Sequence, residues 1–259
     1  MRIKLLFTLF LVALSATIFV GCTKKNSDGA PIPTFEEFVF EEKVEGNAYV
    51  YIQYQRIQNA DDSEALASID TMNYRRTFAE RIEEPITVID LEGVAKAICE
   101  EVFADGSLSG QECESRIEQQ PIIAREGRIL CFETSYYSFM GGAHGYESLI
   151  YDCYDITSGS LYDFAYLVED AWGEAVQHLI YNKARADYAE QLFPNVGAAD
   201  IYIPESVLIT ETGLLLVYQP YEIGPYSSGI ITVELTDEAI AATGAPLVWI
   251  KDVVAEEVE

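Results

Sequence analysis

The residue best suited to chemistry in this sequence is His144, one of 2 histidines among 259 residues. It lies in the run Gly141-Gly142-Ala143-His144-Gly145, between two strand-like segments. Consecutive glycines let backbone N–H groups come close to a ligand, and an imidazole can give or take a proton near neutral pH. The same run also suits an ordinary hairpin turn that requires positive φ angles, with the histidine bonded to the loop backbone. The sequence therefore offers this segment either as a binding loop or as a structural turn.

A second candidate segment is the loop from Pro220 to Gly229, which is rich in glycine and proline. Its tyrosines can act as rigid aromatic anchors, a residue type enriched at the energetically dominant positions of binding surfaces. The alternative is an ordinary strand connection whose tyrosines cover the edge of the core. The two segments together supply the candidate ligand-binding residues, which are Gly141, Gly142, Ala143, His144, Gly145, Tyr221, Pro225 and Tyr226.

Signs of catalysis are sparse. The other histidine, His178, falls on or beside the apolar stripe of a predicted helix, which favours a core or boundary position. The sequence contains neither a Gly-x-Ser-x-Gly nucleophile motif nor an EF-hand calcium loop. Acidic pairs such as Glu36-Glu37 are expected on solvated faces of so acidic a chain and identify no glycosidase. We expect a binding protein without cofactor or metal; the alternative is an envelope hydrolase or wall-modifying enzyme that uses His144.

The charge of the chain restricts its partners. There are 43 Asp and Glu residues against 16 Lys and Arg, which gives a formal net charge of −27. Nucleic-acid binding depends on clustered Lys and Arg, so no nucleic-acid partner is expected. A surface of this charge attracts cationic partners and repels phosphate polymers. A cationic protein is therefore the favoured kind of partner.

The N-terminus has the pattern of an exported lipoprotein. A short basic segment precedes an apolar run over residues 5–20, which is shorter than the ~20 residues that a membrane-spanning helix needs. The four residues Phe-Val-Gly-Cys that end at Cys22 resemble a bacterial lipobox, and this resemblance implies lipid attachment to Cys22. An uncleaved anchor helix is the alternative. We predict a signal peptide at 1–21, a flexible polar tether at 22–34, and a membrane-anchored lipoprotein of the bacterial cell envelope.

The remaining cysteines predict disulfides. Their even number in an exported chain favours disulfides over metal ligands. A hairpin that turns at Gly142 would place Cys131 opposite Cys153, at a separation that a disulfide can span. Elimination then pairs Cys99 with Cys113. Four buried thiols are the alternative in a reducing compartment.

The strand and helix signals alternate irregularly along the chain, which predicts an α+β fold with antiparallel sheets packed against a few helices. The clearest signal is one long amphipathic helix at about 170–193, followed by Pro194. An aromatic-rich hairpin is predicted over 128–156.

A second helix is predicted over 86–103, with helix breaks at Asp105-Gly106 and at Ser109-Gly110, and a last strand is predicted at 247–254. A polar stretch around Gln119-Gln120-Pro121 suggests a boundary. We therefore predict an N-terminal α+β domain at 35–125 and a C-terminal domain at 126–259.

Three motifs resemble one bacterial extracytoplasmic domain family of unassigned chemistry. They are the Y-x-x-x-G-G-A-H-G run that ends at Gly145, the Asp-Ile-Thr-Ser-Gly run that starts at Asp155 and is similar to a D-x-x-T-G motif with serine at the fourth position, and the P-Y-x-x-x-P-Y-x-x-G run that starts at Pro220. This family includes the extracytoplasmic half of the lysozyme-sensing anti-sigma-V factor and an accessory region of a peptidoglycan deacetylase. The resemblance implies a ligand-binding module for a cationic protein such as lysozyme, or for peptidoglycan. In the anti-sigma relative the Pro-Tyr loop contributes to lysozyme contact.

Overall fold

The computed structural model describes residues 24–44, 47–81, 86 and 88–250. The predicted signal peptide at 1–21 and the predicted lipidation site Cys22 lie outside these residues. The strands are β1 Phe35–Val44, β2 Ala48–Ile57, β3 Cys113–Ala124, β4 Ile129–Phe139, β5 Tyr146–Asp155, β6 Ser206–Ile209, β7 Gly213–Tyr218 and β8 Ile231–Thr236. The helices are α1 Glu64–Phe78, α2 Leu91–Ser109, α3 Tyr166–Glu169, α4 Gly173–Tyr188 and α5 Asp237–Ala241. Within the described ranges no helix is long and apolar enough to cross a membrane.

The strands form two sheets. The larger has the order β1-β2-β3-β4-β5, and the smaller has the order β6-β7-β8. All neighbours are antiparallel except β2 and β3, which run parallel and are joined by a crossover that carries α1 and α2. The predicted α+β class is confirmed, and the larger sheet is mixed rather than purely antiparallel.

Side chains cap the two crossover helices at their first turns. The Ser63 hydroxyl accepts from the Leu66 backbone N–H at 3.1 Å, and Asp90 accepts from the Gly93 N–H at 2.8 Å. Of the two predicted breaks, the one at Ser109-Gly110 is confirmed and the one at Asp105-Gly106 is wrong, because α2 continues through Gly106. A Cβ at Gly106 would lie 2.3 Å from the Asn47 carbonyl oxygen, so this glycine permits close packing inside the helix. The helix ends instead before Gly110, whose φ of +68° suits a C-terminal cap.

Strand β3 is the element that the sequence did not reveal. It pairs with β2 only as far as Glu118, so Pro121 lies where β3 has a neighbour on one side only, a position at which strands tolerate proline. The predicted domain boundary between residues 125 and 126 falls in the turn from β3 to β4. A division at that point would cut through one five-stranded sheet.

The hairpin of β4 and β5 confirms one predicted disulfide and corrects the other. Cys131 is paired with Cys153 in the strand register and is bonded to it, with 4.0 Å between the two Cα atoms. The predicted bond between Cys99 and Cys113 is wrong: the two are not bonded to each other, and Cys99 on α2 and Cys113 at the start of β3 are both buried in the core between α2 and the sheet. Burial, and then the Glu42 carboxylate of β1, raise the pKa of the Cys99 thiol.

The C-terminal elements, α3 to α5 and β6 to β8, pack on the end of the larger sheet that β4 and β5 form. Their shared core contains the Cys131–Cys153 disulfide together with apolar side chains of α4 and of β6–β8. A buried ion pair fastens the same region to the β3–β4 turn, with Arg125 Nη1 at 2.8 Å from Asp237 Oδ2. The indole of Trp249 also donates to Asp237, at 3.0 Å. The C-terminal elements thus share a hydrophobic core with β4 and β5 of the larger sheet.

Two further predictions need correction, and the predicted long helix is confirmed with shorter bounds. The flexible tether was predicted at 22–34; its described part, residues 24–34, folds into a loop in which Asn26 is buried and donates to the Gly127 carbonyl at 3.0 Å. The long helix predicted at about 170–193 is present and spans Gly173–Tyr188. Residues 247–250 form a turn rather than the start of a strand, and 251–254 lie outside the described residues.

Candidate functional site

The two predicted binding segments meet in space although about 80 residues separate them in the chain. The His144 ring stacks on the Tyr226 ring with 4.0 Å between centroids and 26° between planes. The Tyr226 hydroxyl donates to the Gly145 carbonyl at 2.6 Å. The Tyr221 ring lies 5.7 Å from that of Tyr226. We call the surface formed by residues 141–145 and 221–226 the aromatic site.

The first segment of the aromatic site is the turn between β4 and β5. Gly141 and Gly142 have φ values of +88° and +117°, so this turn requires glycine for its backbone conformation. Gly142 N–H also donates to the Gln111 side chain at 2.8 Å. A Cβ at Gly145 would lie 2.6 Å from the Tyr137 hydroxyl, which shows that the Tyr137 side chain packs directly beneath the turn. The glycines therefore shape the turn and let it lie on Tyr137.

The second segment is held in place by side chains rather than by a strand ladder. The Gln219 amide accepts from Leu149 N–H at 3.0 Å and donates to the Leu149 carbonyl at 2.8 Å, so that it pairs with β5 as a backbone would. On the other side, Ser228 Oγ donates to the Gln191 carbonyl at 2.7 Å, just after α4. The loop is consequently fixed between the larger sheet and the end of α4.

Tyr221 combines exposure with an unfavourable backbone conformation. Its φ is +76°, in the left-handed region that bulky residues avoid, and its side chain is 57% exposed. Its N–H donates to the Gly224 carbonyl at 3.0 Å, which closes the loop on itself. Strained non-glycine residues cluster at ligand-binding and active sites because the surrounding structure must hold them in place.

The contacts of His144 determine what its ring can do. Nδ1 lies 2.9 Å from the Gly145 carbonyl oxygen, which only accepts, so this bond requires a proton on Nδ1. In the neutral imidazole, Nε2 is then left to accept a hydrogen bond from a ligand. His144 is exposed and stacked on a phenol ring. The Tyr226 hydroxyl points to a carbonyl and therefore does not serve as a partner for the imidazole.

The electrostatic surroundings of the aromatic site are acidic. Glu222 lies within the loop and accepts from the Gln219 N–H. Burial, and then the nearby Glu222 carboxylate, raise the pKa of Tyr202. Among the described residues, no group of His, Cys, Asp and Glu side chains could hold a metal ion.

The structure separates the remaining candidates and adds others. His178 is exposed on α4, so the predicted core or boundary position is wrong. Tyr137, Gln111 and Gln219 support the aromatic site but were not among the predicted site residues. Tyr137 is the first residue of the Y-x-x-x-G-G-A-H-G motif, and the strand register places it opposite Glu147 beside the turn. No local signal marks the two glutamines, because each acts on a segment distant in the chain.

Comparison with known proteins identifies a family match in the C-terminal part. Residues 167–238 match the family described as "Protein of unknown function (DUF3298)". No curated protein is similar to the chain.

Two solved structures share the fold. A DUF3298 family member from Bacteroides fragilis NCTC 9343 superposes with a TM-score of 0.67 at 15% identity, covering 84% of this chain and 94% of its own. A DUF3298 family protein from Pseudomonas aeruginosa PAO1 gives a TM-score of 0.59 at 15% identity, covering 81% and 93%. At this identity the similarity concerns the fold alone.

Proposed function

We propose that this protein is a lipid-anchored binding protein of the bacterial cell envelope that recognises a cationic protein such as lysozyme at the aromatic site. The observation that carries this proposal is the convergence of the Gly141–Gly145 turn and the Tyr221–Tyr226 loop on one exposed surface. Both segments belong to the motifs that resemble the family of the lysozyme-sensing anti-sigma factor. The proposed location at the membrane of the cell envelope rests on lipid attachment to Cys22.

The shape of the aromatic site supports binding. Tyr221 and His144 are exposed, whereas the hydrogen bonds of Tyr226 and Gln219 hold the backbone beneath them in one conformation. Preformed surfaces lose less conformational entropy on association than flexible loops do. A strained residue such as Tyr221 is consistent with selection for the position of its ring rather than for stability.

The charge of the chain supports a cationic ligand. A net charge of −27 accelerates association with a basic protein and makes the rate depend on salt. The alternative of a wall-modifying enzyme would require His144 to act with a neighbouring acid or hydroxyl. The imidazole instead contacts a carbonyl and an aromatic ring, which favours recognition over proton transfer.

Calorimetric titration with hen egg-white lysozyme at low and high salt tests the proposal. We expect saturable binding that weakens as salt is raised, and a loss of about tenfold or more in affinity for Tyr221→Ala, since truncated interface tyrosines often cost over 1 kcal/mol. Tyr181→Ala, which removes a half-buried tyrosine from the middle of α4, is the matched control and should bind normally. Absence of saturable binding at low salt, or equal affinities for both variants, would contradict the proposal.

A further inference from the structure

We infer that the open face of the larger sheet is a second interaction surface, which binds a basic polypeptide segment by holding lysine or arginine side chains between tyrosine rings and carboxylates. We call this surface the open sheet face. It comprises outward-pointing side chains of β1 to β4, namely Glu37, Glu41, Tyr51, Arg116, Glu118 and Tyr137.

The two faces of the larger sheet are covered to different extents. One face packs against α1 and α2, with Val50, Ile52 and Tyr54 fully buried. On the opposite face, the C-terminal elements pack at the end that carries the Cys131–Cys153 disulfide. Beyond that end, side chains of β1 to β3 remain partly or fully exposed, including Val39 at 50%. This part of the sheet is accessible to a partner.

Tyr51 lies at the centre of the open sheet face. Glu41 is its register partner on β1, and the carboxylates of Glu118 and Glu37 also act on it electrostatically. Burial, followed by these carboxylates, raises the pKa of the Tyr51 hydroxyl. Neighbouring side chains orient two of the acids: Gln53 Nε2 donates to Glu37 at 2.6 Å, and the Tyr49 hydroxyl donates to Glu41 at 3.2 Å. An aromatic ring surrounded by oriented carboxylates is suited to an ammonium or guanidinium group.

One cation of the chain already occupies such a position. The Arg116 guanidinium carbon lies 4.7 Å from the centroid of the Tyr137 ring, and its Nε lies 3.0 Å from Glu114 Oε1. A surface cavity of about 350 Å³ lies beside this pair, lined by Lys43, Tyr49, Glu112 and Glu114. At one position of the open sheet face, Arg116 already occupies a site formed by a tyrosine ring and a carboxylate. The ring of Tyr51 and the carboxylates around it form a similar site that can accept a cation of a partner.

Charge complementarity identifies the occupant. The carboxylates of the face outnumber Lys43 and Arg116, so a polyanion is repelled and a basic chain is attracted. The open sheet face spans several strands and presents more than one site of this kind. It is therefore better suited to a polypeptide segment with several cationic side chains than to a single small amine. The assignment does not depend on the aromatic site, although the two surfaces touch through Tyr137.

The test uses the full chain and decalysine as the probe, with affinity measured by calorimetry at low salt. Replacing the three acids around Tyr51, as Glu37→Gln, Glu41→Gln and Glu118→Gln together, should weaken binding about tenfold. The control removes the same charge from exposed acids elsewhere, as Glu100→Gln, Glu169→Gln and Glu190→Gln, and should change affinity less than about twofold. Circular dichroism verifies that both triple variants fold.

A second pair of variants distinguishes the contribution of the Tyr51 ring to binding from the contribution of overall charge. Tyr51→Phe should retain binding because the ring face remains, whereas Tyr51→Leu should weaken it severalfold. Equal loss in the two triple variants would mean that only overall charge attracts decalysine and would overturn the inference. Binding of a neutral chitin oligosaccharide at Tyr51 in preference to decalysine would also overturn it. Tyr221→Ala should leave decalysine affinity unchanged, so failure of the lysozyme experiment and failure of this one are distinguishable.

Discussion

The backbone at Tyr221 provides a test of whether the aromatic site stores strain. The φ of +76° forces an L-residue into the left-handed region, which glycine enters without a Cβ clash. We compare Tyr221→Gly with Tyr221→Ala, because both variants remove the same aromatic ring and differ only in the Cβ.

The expected difference follows from two opposing effects. The left-handed conformation costs an L-residue roughly 1–2 kcal/mol, and Tyr221→Gly removes that cost. Glycine loses more conformational freedom on folding, which costs about 0.5–1 kcal/mol relative to alanine. Tyr221→Gly should therefore be more stable than Tyr221→Ala by about 0.5–1 kcal/mol, the reverse of the order at ordinary positions. Loss of the ring, 57% exposed, affects both variants equally.

Urea unfolding followed by circular dichroism measures this difference. The matching control is Tyr181→Gly against Tyr181→Ala in the middle of α4, where glycine should be less stable by about 1 kcal/mol. Thermal midpoints should differ in the same directions, by about 2–4 °C per kcal/mol for a chain of this size. If Tyr221→Gly is no more stable than Tyr221→Ala while the control behaves as expected, the backbone at 221 is not strained and the reasoning fails. Both Tyr221 variants should bind lysozyme weakly, because each lacks the ring.

Two further predictions concern the cysteines. Replacing Cys131 and Cys153 together by alanine should lower the free energy of unfolding by about 3 kcal/mol, since their bond closes a loop with a sequence separation of 22; a loss below about 1 kcal/mol in urea unfolding would contradict this. Burial, and then the Glu42 carboxylate, raise the pKa of Cys99 from 9.0 to about 12, so the folded state holds this proton more tightly than the unfolded state does. Stability should accordingly fall as the pH rises from about 9 towards 12, and Cys99→Ala should reduce that slope in urea midpoints measured across the range; an unchanged slope would refute the assignment.

The parts of the fold that local patterns specify were predictable. A hairpin has a constant sum of paired residue numbers, so a turn at Gly142 was sufficient to place Cys131 opposite Cys153. Strand β3 was missed because Pro121 and its polar neighbours are typical of a loop. The strand can contain this proline because β3 has no partner on the β2 side after Glu118. That pairing is visible only in the folded structure. In the same way, Gly106 resembled a helix end until its contact with Asn47 was visible.

The aromatic site was predictable as two segments but not as one surface. Their motifs identified the glycines, His144 and the two tyrosines. Their meeting depends on Gln219, which replaces a backbone partner for Leu149 on a strand remote in the chain. Such a side-chain bridge leaves no periodicity in the sequence, so the stacking of His144 on Tyr226 could not have been derived from it.

The contact between the N-terminal loop and the β3–β4 turn restricts how far the aromatic site can lie from the membrane. Asn26 binds the β3–β4 turn at Gly127, whereas the aromatic site begins at the other end of β4, about 33 Å away at 3.3 Å per residue. With lipid on Cys22 as proposed, no more than about 14 Å of chain separates the membrane from Asn26. The sheet would then act as a spacer of fixed length that presents the aromatic site on the side farthest from the bilayer. Accessible ligands would be those that approach from the wall or the exterior, and a lengthened tether would extend that range without altering affinity.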